Sequence, residues 1–322
     1  MRLLFLFLLA LAAACSSSSS GPPPPPPPPP LFYVTNTGSN TITAFAVGDT
    51  GNVAPRLTIS GTNTTLDQPD GIVRDPTGIV LVTSAAPARI LVFAANAVGD
   101  QVPIASIVGS NTGLSQPRGL ALDASGRLYV ADAGTNSILI FANGASGNVA
   151  PAGTIAGGNT ALSAPSSLAF DLRGRLYVAN ASGNSITVYA ARATGNIRPT
   201  DTIVGTNTRL KVPLGIALDP GGQLYVANSG TGPSSSTVTV FASMAKGNVA
   251  PIDTITGPST ALDQPQGIAL DAASRIYVVN AAVASHQFRL TVYGPGSTGD
   301  VAPQATIAGS NTGLTAPARV SF

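Results

Sequence analysis

A five-residue phrase recurs six times along the chain, and its spacing constrains the fold more than any other feature. Gly-Asn-Val-Ala-Pro occurs three times intact and three times as a close variant, at 51–55, 99–103, 147–151, 195–199, 247–251 and 299–303. Successive copies are 48, 48, 48, 52 and 52 residues apart. A second marker repeats with the same spacings, at Pro69, Pro117, Pro165, Pro213, Pro265 and Pro317. A period of this size indicates a repeat architecture.

Each unit contains four short β-rich runs separated by turn residues. In the unit that follows Pro117, these runs lie at 120–122, 127–131, 137–142 and 150–155. Asp123 and Gly126 bound the first turn, because an aspartate side chain caps a turn and glycine accepts a positive φ. No segment has helical periodicity. Four short strands in each unit predict the blade of a β-propeller.

The two ends of the repeat region complete each other. Residues 31–46 match the second and third strands of a unit, and 54–59 match the fourth. Residues 317–322 match a first strand alone. The sequence therefore predicts an all-β fold over 31–322, a six-bladed β-propeller of four-stranded antiparallel blades, closed by a composite blade built from both termini. Closure of this kind removes open sheet edges.

The unit QPRGLALDASGRLYVADAGTNSILIF resembles the NHL repeat, a family of propeller blades. The likeness rests on Pro-x-Gly-hydrophobic-Ala-Leu-Asp, then Gly-Arg-Leu-Tyr-Val-Ala-Asp/Asn, then Asn-Ser-Ile-hydrophobic-Val-Phe/Tyr, and it extends over 31–322. The resemblance implies the propeller fold but no particular activity, because such propellers serve unrelated functions. It also implies a usual binding surface, formed by the loops between fourth and first strands and between second and third strands.

The first thirty residues predict export and anchoring. Residues 1–14 have the short basic start and apolar run of a signal peptide, too short to span a bilayer. The alanines before Cys15 resemble the cleavage site of bacterial lipoproteins, which implies lipid attachment at Cys15 as the membrane anchor. Ordinary cleavage, with Cys15 incidental, is the alternative. Residues 15–30 then form a Ser/Gly/Pro tether, and Ser16 indicates the outer membrane if the cell is Gram-negative.

The inventory of reactive side chains favours a non-catalytic protein. The chain has no glutamate, one histidine (His286), one cysteine and a net charge of +2. Zinc clusters and most acid–base arrangements need more such groups, so we expect no cofactor and no metal. The near-neutral charge argues against nucleic acid as a partner. The alternative is a lactonase-like propeller hydrolase or lyase with an Asp/Asn metal site, although the propeller enzymes that the chain resembles rely on glutamate or on several histidines.

Positions at which the repeats differ give the candidate binding face. The residue after each marker proline should ring the channel mouth, and it varies among Asp70, Arg118, Ser166, Leu214, Gln266 and Ala318. Asp132, at the end of a second strand, is a further candidate that could attract a cation together with Asp67 and Asp70. Unselected variation and ordinary turn formation are the alternatives. The expected ligand of this face is a protein or glycan, bound by a monomer.

The two 52-residue spacings trace to longer loops at 229–236 and 281–288, on the same predicted face. His286 and Arg289 lie in or beside the second loop, and the two loops could form a lip for a partner. Neutral drift in loop length is the alternative, because surface loops tolerate insertions.

Three groups of residues have structural expectations. The repeated asparagines and threonines after the fourth strands (Asn63 and its equivalents, with Ser259 in the fifth place, and the threonines beside them) are expected to cap turns locally. Residues that end the second strands are expected to close the loop that follows; these are Asn36, Ser84, Asp132, Asn180, Asn228 and Asn280. Arg74 stands where every other repeat has an apolar residue; it is expected to reach solvent along its stem, and pairing with a buried acid is the alternative.

Overall fold

The structure, a computed structural model, describes residues 29–230, 235–281 and 287–322. Six four-stranded antiparallel sheets form a closed ring of blades, which confirms the predicted six-bladed β-propeller. No helix in this described part of the chain is long and apolar enough to cross a membrane. The connections include short 3₁₀ turns at Thr62–Thr64, Ser110–Thr112, Thr206–Thr208 and Pro258–Thr260.

The chain enters the ring through three strands of blade 6: β1 (Leu31–Asn36), β2 (Thr41–Ala46) and β3 (Leu57–Ile59). Blade 1 contains β4 (Ile72–Arg74), β5 (Val80–Ser84), β6 (Arg89–Phe93) and β7 (Ala105–Val108). Blade 2 contains β8 (Pro117–Leu122), β9 (Leu128–Asp132), β10 (Ser137–Phe141) and β11 (Gly153–Ile155).

Blade 3 contains β12 (Pro165–Phe170), β13 (Leu176–Asn180), β14 (Ser185–Tyr189) and β15 (Asp201–Ile203). Blade 4 contains β16 (Pro213–Leu218), β17 (Leu224–Ser229), β18 (Ser236–Phe241) and β19 (Asp253–Ile255). Blade 5 contains β20 (Pro265–Leu270), β21 (Ile276–Asn280), β22 (Arg289–Tyr293) and β23 (Ala305–Ala308).

The last strand, β24 (Pro317–Ser321), returns to blade 6 and pairs antiparallel with β1. Tyr33 lies opposite Ser321 and Val34 opposite Val320 in the ladder. The aromatic ring of Phe322 packs 5.7 Å from that of Phe32, measured between centroids. Both ends of the propeller therefore build one blade, as the repeat phase predicts.

The core lies between neighbouring blades. The second strands are almost fully buried because they are covered on both faces, so they read as continuous apolar runs rather than as alternating patterns. Between blades 2 and 3, for example, Tyr129 packs against Phe170 with ring centroids 4.9 Å apart. The other interfaces contain similar clusters of aliphatic and aromatic side chains.

The repeated Gly-Asn phrase joins each blade to the one before it. Its glycine forms a parallel bridge to the fourth strand of the preceding blade, as Gly147 does with Ile107. The next side chain then accepts a hydrogen bond from the turn of that blade: Asn148 Oδ1 accepts from the Asn111 backbone N–H at 2.7 Å. All six interfaces share this contact, through Asn52, Asp100, Asn148, Asn196, Asn248 and Asp300.

This contact corrects one expectation. The turns after the fourth strands are capped locally only by their threonines, as Thr112 Oγ1 does by donating to the Gly109 carbonyl oxygen at 2.8 Å. The residue that precedes each of these threonines, asparagine in five turns and Ser259 in one, contributes mainly its backbone N–H, and the partner is a side chain of the next blade. The distant partner could not be read from local sequence.

A second expectation, for the residues that end the second strands, also needs correction. Asn180 Oδ1 accepts from the backbone N–H of Ser163, at 3.0 Å, in the segment before the first strand of the blade. Asn36, Ser84, Asn228 and Asn280 hold the equivalent segment. These side chains therefore fix the entry to the first strand, and within the described ranges 29–230, 235–281 and 287–322 Asp132 also bonds to the loop that follows.

The ring has two faces, which carry different connections between strands. The loop face carries the marker prolines at the starts of the first strands. The turn face carries the five turns between first and second strands, at 75–79, 123–127, 171–175, 219–223 and 271–275. In blade 6 the place of that turn is taken by the end of β24 and the start of β1. Both Leu31 and Phe322 consequently lie on the turn face.

Candidate functional site

The first strands approach one another closely around the central channel, near the loop face. The second residue after each marker proline forms this constriction, and in four units it is glycine: Gly71, Gly119, Gly215 and Gly267. A Cβ added to Gly215 would lie 2.9 Å from the Gly267 Cα atom. Since real Cβ atoms do not approach that closely, glycine is needed where the strands converge.

Blade 6 departs from this rule because Arg319 stands at the glycine position. Its side chain is buried, with 7% of the residue exposed. Nη1 donates to the carbonyl oxygens of Gln266, at 2.8 Å, and Ala318, at 3.0 Å. Nη2 donates to the Ser166 carbonyl oxygen at 3.1 Å. One guanidinium group thus joins blades 3, 5 and 6 across the channel.

Asp70 of blade 1 lies beside this guanidinium. Its Oδ1 is 3.4 Å from Arg319 Nη2, and its Oδ2 is 3.3 Å from Nη1 of Arg118 in blade 2. Burial lowers the pKa of Arg319, and the nearby carboxylate of Asp70 opposes that shift. The Arg118 side chain is about half exposed, at 49%. The cluster therefore connects a buried cation to the solvent-facing surface through one carboxylate.

Beyond the constriction, the channel widens into a cavity of about 370 Å³. Arg319 and the glycine positions border it at the loop-face end, and the residues that end the first strands border it toward the turn face, among them Leu122, Phe170 and Phe322. Its walls are mostly aliphatic side chains and strand backbone. The channel is consequently constricted and bridged near the loop face and wider toward the turn face.

Of the residues predicted to ring the mouth, Asp70 and Arg118 meet directly. Ser166 is buried, and its Oγ donates to the carbonyl oxygens of Pro213, at 2.9 Å, and Ala179, at 3.3 Å. Gln266 is half-buried, and its Nε2 donates to Ser229 Oγ at 3.3 Å. The structure thus brings the side chains of Asp70 and Arg118 together, and it links Ser166, Gln266 and Ala318 through their backbone carbonyls to Arg319.

Asp132 lies beneath the surface rather than on it, with 0% exposure. Its Oδ2 accepts from the backbone N–H groups of Ser115, at 2.8 Å, and Gln116, at 3.1 Å. Its Oδ1 accepts from the backbone and the hydroxyl of Thr135, at 3.0 and 2.9 Å. Four hydrogen bonds occupy this carboxylate. Over the ranges described, no three His, Cys, Asp or Glu side chains gather as metal ligands would.

Two predicted residues, Cys15 and His286, lie outside the described residues. Each of the longer loops is described only at its ends. Arg289 begins β22, and its Nε donates to the Gln287 carbonyl oxygen at 3.3 Å. Together with Phe288 and Ser310 it borders a cleft of about 490 Å³ between blades 5 and 6. The proposed lip of two loops stays a prediction.

Arg74 does not simply extend into solvent. Its guanidinium carbon lies 5.0 Å from the centroid of the Tyr33 ring in blade 6, and its Nε is buried. A cation over an aromatic face is attracted by the ring quadrupole. Arg74 therefore supports the junction between the first complete blade and the composite blade.

Sequence reasoning missed Arg319, the central residue of this site. A signal was present, because Arg319 is the only large side chain in a column otherwise made of glycine and Ser167. The first position after the proline varies in every unit and therefore looks like a binding position. The second position matters more, because its one large residue, Arg319, lies where the six first strands converge.

The comparisons agree with this fold. The NHL repeat model matches residues 114–141, which cover three strands of blade 2. No curated protein matches the chain. A protein of unknown function from Bacteroides caccae is similar in structure, with a TM-score of 0.64, 10% identity, and coverage of 91% of this chain and 98% of that chain.

Two further solved structures are similar over most of the chain. A chain of a nidogen/laminin complex gives a TM-score of 0.59 at 14% identity, covering 90% of this chain and 97% of that one. A putative 6-phosphogluconolactonase from Bacteroides fragilis gives a TM-score of 0.56 at 15% identity, covering 88% of this chain and 82% of that one. Identities this low relate the proteins by fold alone. The chain is a six-bladed β-propeller in which one blade matches the NHL repeat.

Proposed function

We propose that this chain is an extracytoplasmic lipoprotein, anchored to the cell envelope through Cys15, whose propeller is a non-catalytic binding or scaffold module. Its ligand would be a protein, a glycan or another envelope component. The loop face is the proposed contact surface, with Asp70, Arg118 and Gln266 among its polar groups.

The bridging of the channel by Arg319 is the observation that carries this proposal. Its hydrogen bonds to Gln266 and Ser166 place a guanidinium across the centre of the loop face. The channel is therefore obstructed just behind the loop face. A face without an open central pocket suits a macromolecular partner, whereas small-molecule sites are usually concave and enclosed.

The contacts that the nearby acids already make within the fold also favour binding over metal-dependent catalysis. Asp70 lies between two arginine side chains, and Asp132 accepts four hydrogen bonds. Neighbouring cations oppose the binding of a divalent metal, and a carboxylate already saturated with donors has few lone pairs to offer. Asp70 and Asp132 are two of the three acids, with Asp67, that could attract a cation in the lactonase-like alternative.

The position of the chain start gives the proposed anchor a direction. Leu31 begins β1 on the turn face, opposite the loop face. A tether that ends there would attach the propeller to the membrane by its turn face. The loop face would then point away from the membrane, toward partners in the surrounding compartment.

Fractionation of cells tests the anchor. Cys15→Ala and Cys15→Ser should each move the protein from the membrane fraction to the soluble fraction, and Ser16→Ala should leave it membrane-bound. Metabolic labelling with a fatty acid should mark the wild-type chain and not the two cysteine variants. Membrane partitioning and labelling that survive the loss of Cys15 would refute the anchor.

Capture from envelope extracts tests the binding face. Full-length protein with Arg118→Glu and Gln266→Ala should lose a component that wild type retains. Ser125→Ala, an exposed polar substitution on the turn face, is the matched control and should retain that component. Equal capture by all three proteins would contradict a contact through the loop face.

A further inference from the structure

The turn face of blades 3 and 4 departs from the repeat at several adjacent positions. In blade 3 the turn between first and second strands contains Leu172-Arg173, where the other complete blades have Pro76-Thr77, Ala124-Ser125, Pro220-Gly221 and Ala272-Ala273. Leu172 is 88% exposed, the highest value among the large exposed hydrophobic side chains of the described chain. An exposed leucine at the tip of a turn adds no hydrophobic stabilisation to its own fold.

The loops between third and fourth strands depart from the repeat in the same two blades. Arg192 and Met244 have φ values of 62° and 65°, in the left-handed region. The corresponding residue in three other blades is a glycine with positive φ: Gly48, Gly144 and Gly296. Residues with side chains are strained in this conformation, and such strain concentrates at functional positions.

These departures lie next to one another. Leu172 and Arg173 stand between two grooves, one bordered by Arg192 and the other by Met244. The Met244 sulfur lies 4.0 Å from Arg173 Nη1 and 3.0 Å from Nη2 of Arg175. We call this surface the basic–apolar patch and define it by Leu172, Arg173, Arg192, Met244 and Lys246.

The patch carries free positive charge. Among the residues that the structure describes, Arg173, Arg192 and Lys246 have no carboxylate within salt-bridge distance. Of the acids nearest the patch, Asp171 is paired with Arg175 at 2.7 Å, whereas Asp219 and Asp201 form no salt bridge among the described residues. The Asp219 carboxylate accepts the backbone N–H of Gln223. Exposed cations around apolar tips are typical of surfaces that bind anionic lipid.

The first strand of the propeller begins on the same face as the patch. Pro30, the residue before β1, is fixed there by its carbonyl oxygen, which accepts from the Val47 backbone N–H at 2.9 Å. Blade 6 and blade 3 stand on opposite sides of the ring. A membrane anchor leading from Pro30 and a lipid contact at the patch would therefore hold the turn face at two separated points.

We propose that the basic–apolar patch binds the surface of an anionic lipid bilayer, the membrane to which Cys15 anchors the chain. Leu172 and Met244 enter the interface, and the three cations pair with lipid phosphate groups. The identity of this membrane rests on the proposed anchoring, whereas the affinity of the patch for anionic lipid does not.

The absence of tryptophan from the chain permits a site-specific test. Leu172→Trp and Met244→Trp would each place a single reporter in the patch of the full chain. Ser182→Trp places it at an exposed position on the loop face of the same blade and serves as the control. The probes are vesicles of phosphatidylcholine, with and without phosphatidylglycerol, and with brominated lipids as quenchers.

In anionic vesicles, emission from both patch reporters should shift to shorter wavelength and be quenched by brominated lipid. Emission from the Ser182→Trp control should do neither. Converting Arg173, Arg192 and Lys246 to alanine should weaken vesicle binding of a Cys15→Ala chain by about a hundredfold, from about fivefold for each surface charge. Equal quenching at the two faces, or equal binding to neutral and anionic vesicles, would overturn the proposal.

A second variant excludes a purely structural role for the patch. Arg192→Gly with Met244→Gly introduces the residue found in three other blades and relieves both strained backbones. We expect this variant to unfold at higher urea concentration than wild type and yet to bind anionic vesicles more weakly. Unchanged vesicle binding would count against the patch. Failure of the anchor would instead be seen in fractionation of Cys15→Ala, which leaves the vesicle result interpretable.

Discussion

Arg319 and Asp70 face each other across the central channel, with Nη2 and Oδ1 3.4 Å apart, although one lies in the middle of the last strand and the other just before the first strand of blade 1. The same arginine donates to backbone carbonyls of blades 3, 5 and 6. One side chain therefore reinforces ring closure and obstructs the channel.

Loss of this guanidinium should destabilise the propeller. Arg319→Met keeps the length of the side chain but removes its three carbonyl contacts and its partner at Asp70. We expect the free energy of unfolding in urea to fall by about 2–4 kcal/mol. A double-mutant cycle with Asp70→Asn should give a coupling energy above about 0.5 kcal/mol. If the two substitutions changed the free energy of unfolding additively, the contact between Arg319 and Asp70 would contribute nothing to stability.

The contacts between blades can be tested at one interface. Asn148→Ala removes the oxygen that accepts from the Asn111 backbone N–H, so we expect a loss of about 1 kcal/mol, as for a helix or turn cap. Asn111→Ala is the control, because this residue contributes its backbone N–H to the same bond and its side chain is exposed. It should change stability by less than about 0.5 kcal/mol. Equal losses in urea unfolding would contradict the assignment.

A cavity of about 510 Å³ lies between blades 1 and 2 and is bordered by Ile79 and Leu81. The equivalent residues in blades 2 and 3 are arginine and tyrosine, stacked with 5.5 Å from guanidinium carbon to ring centroid. Ile79→Arg with Leu81→Tyr should fill the space and raise the free energy of unfolding by about 0.5–2 kcal/mol. Leu81→Ala is the opposite control and should lower it. A destabilised double variant would show that the cavity cannot accept the larger pair.

Buried tyrosines predict loss of stability at alkaline pH. Burial raises the pKa of Tyr189 to about 12, and the hydroxyl donates to the Thr160 carbonyl oxygen. The neutral phenol is favoured in the fold, so this contribution is complete below the unfolded pKa of about 10 and is lost as pH rises toward 12. Tyr189→Phe should be less stable near neutrality but should lose stability less steeply between about pH 10 and 12. Parallel curves in urea unfolding would contradict the assignment.

The architecture was predictable because each structural unit is repeated in the sequence. The spacing of the Gly-Asn phrase indicated the blade count, and the match of 317–322 to a first strand indicated the composite blade. Local turn chemistry, such as that of Asp123 and Gly126, was also readable, since its partners lie within a few residues.

The candidate site was less predictable, because its contacts join residues far apart in the chain. Nothing near Arg319 indicates that its side chain meets Ser166 and Asp70. For Asp132 the sequence suggested a role that the structure does not support. Its charge suggested a carboxylate at the surface, available to a ligand, but it accepts four hydrogen bonds from two segments that only the fold brings together.

Closure of the ring by its two ends is the claim on which the site, the bridged channel and the shared turn face all depend. The most direct test is a disulfide between Val34→Cys and Val320→Cys, which are paired across β1 and β24, in a chain with Cys15→Ser. The account predicts that mild oxidation forms an intramolecular bond, with both thiols consumed and the unfolding midpoint raised. Thiols that stay free, or that form only bonds between molecules, would contradict it.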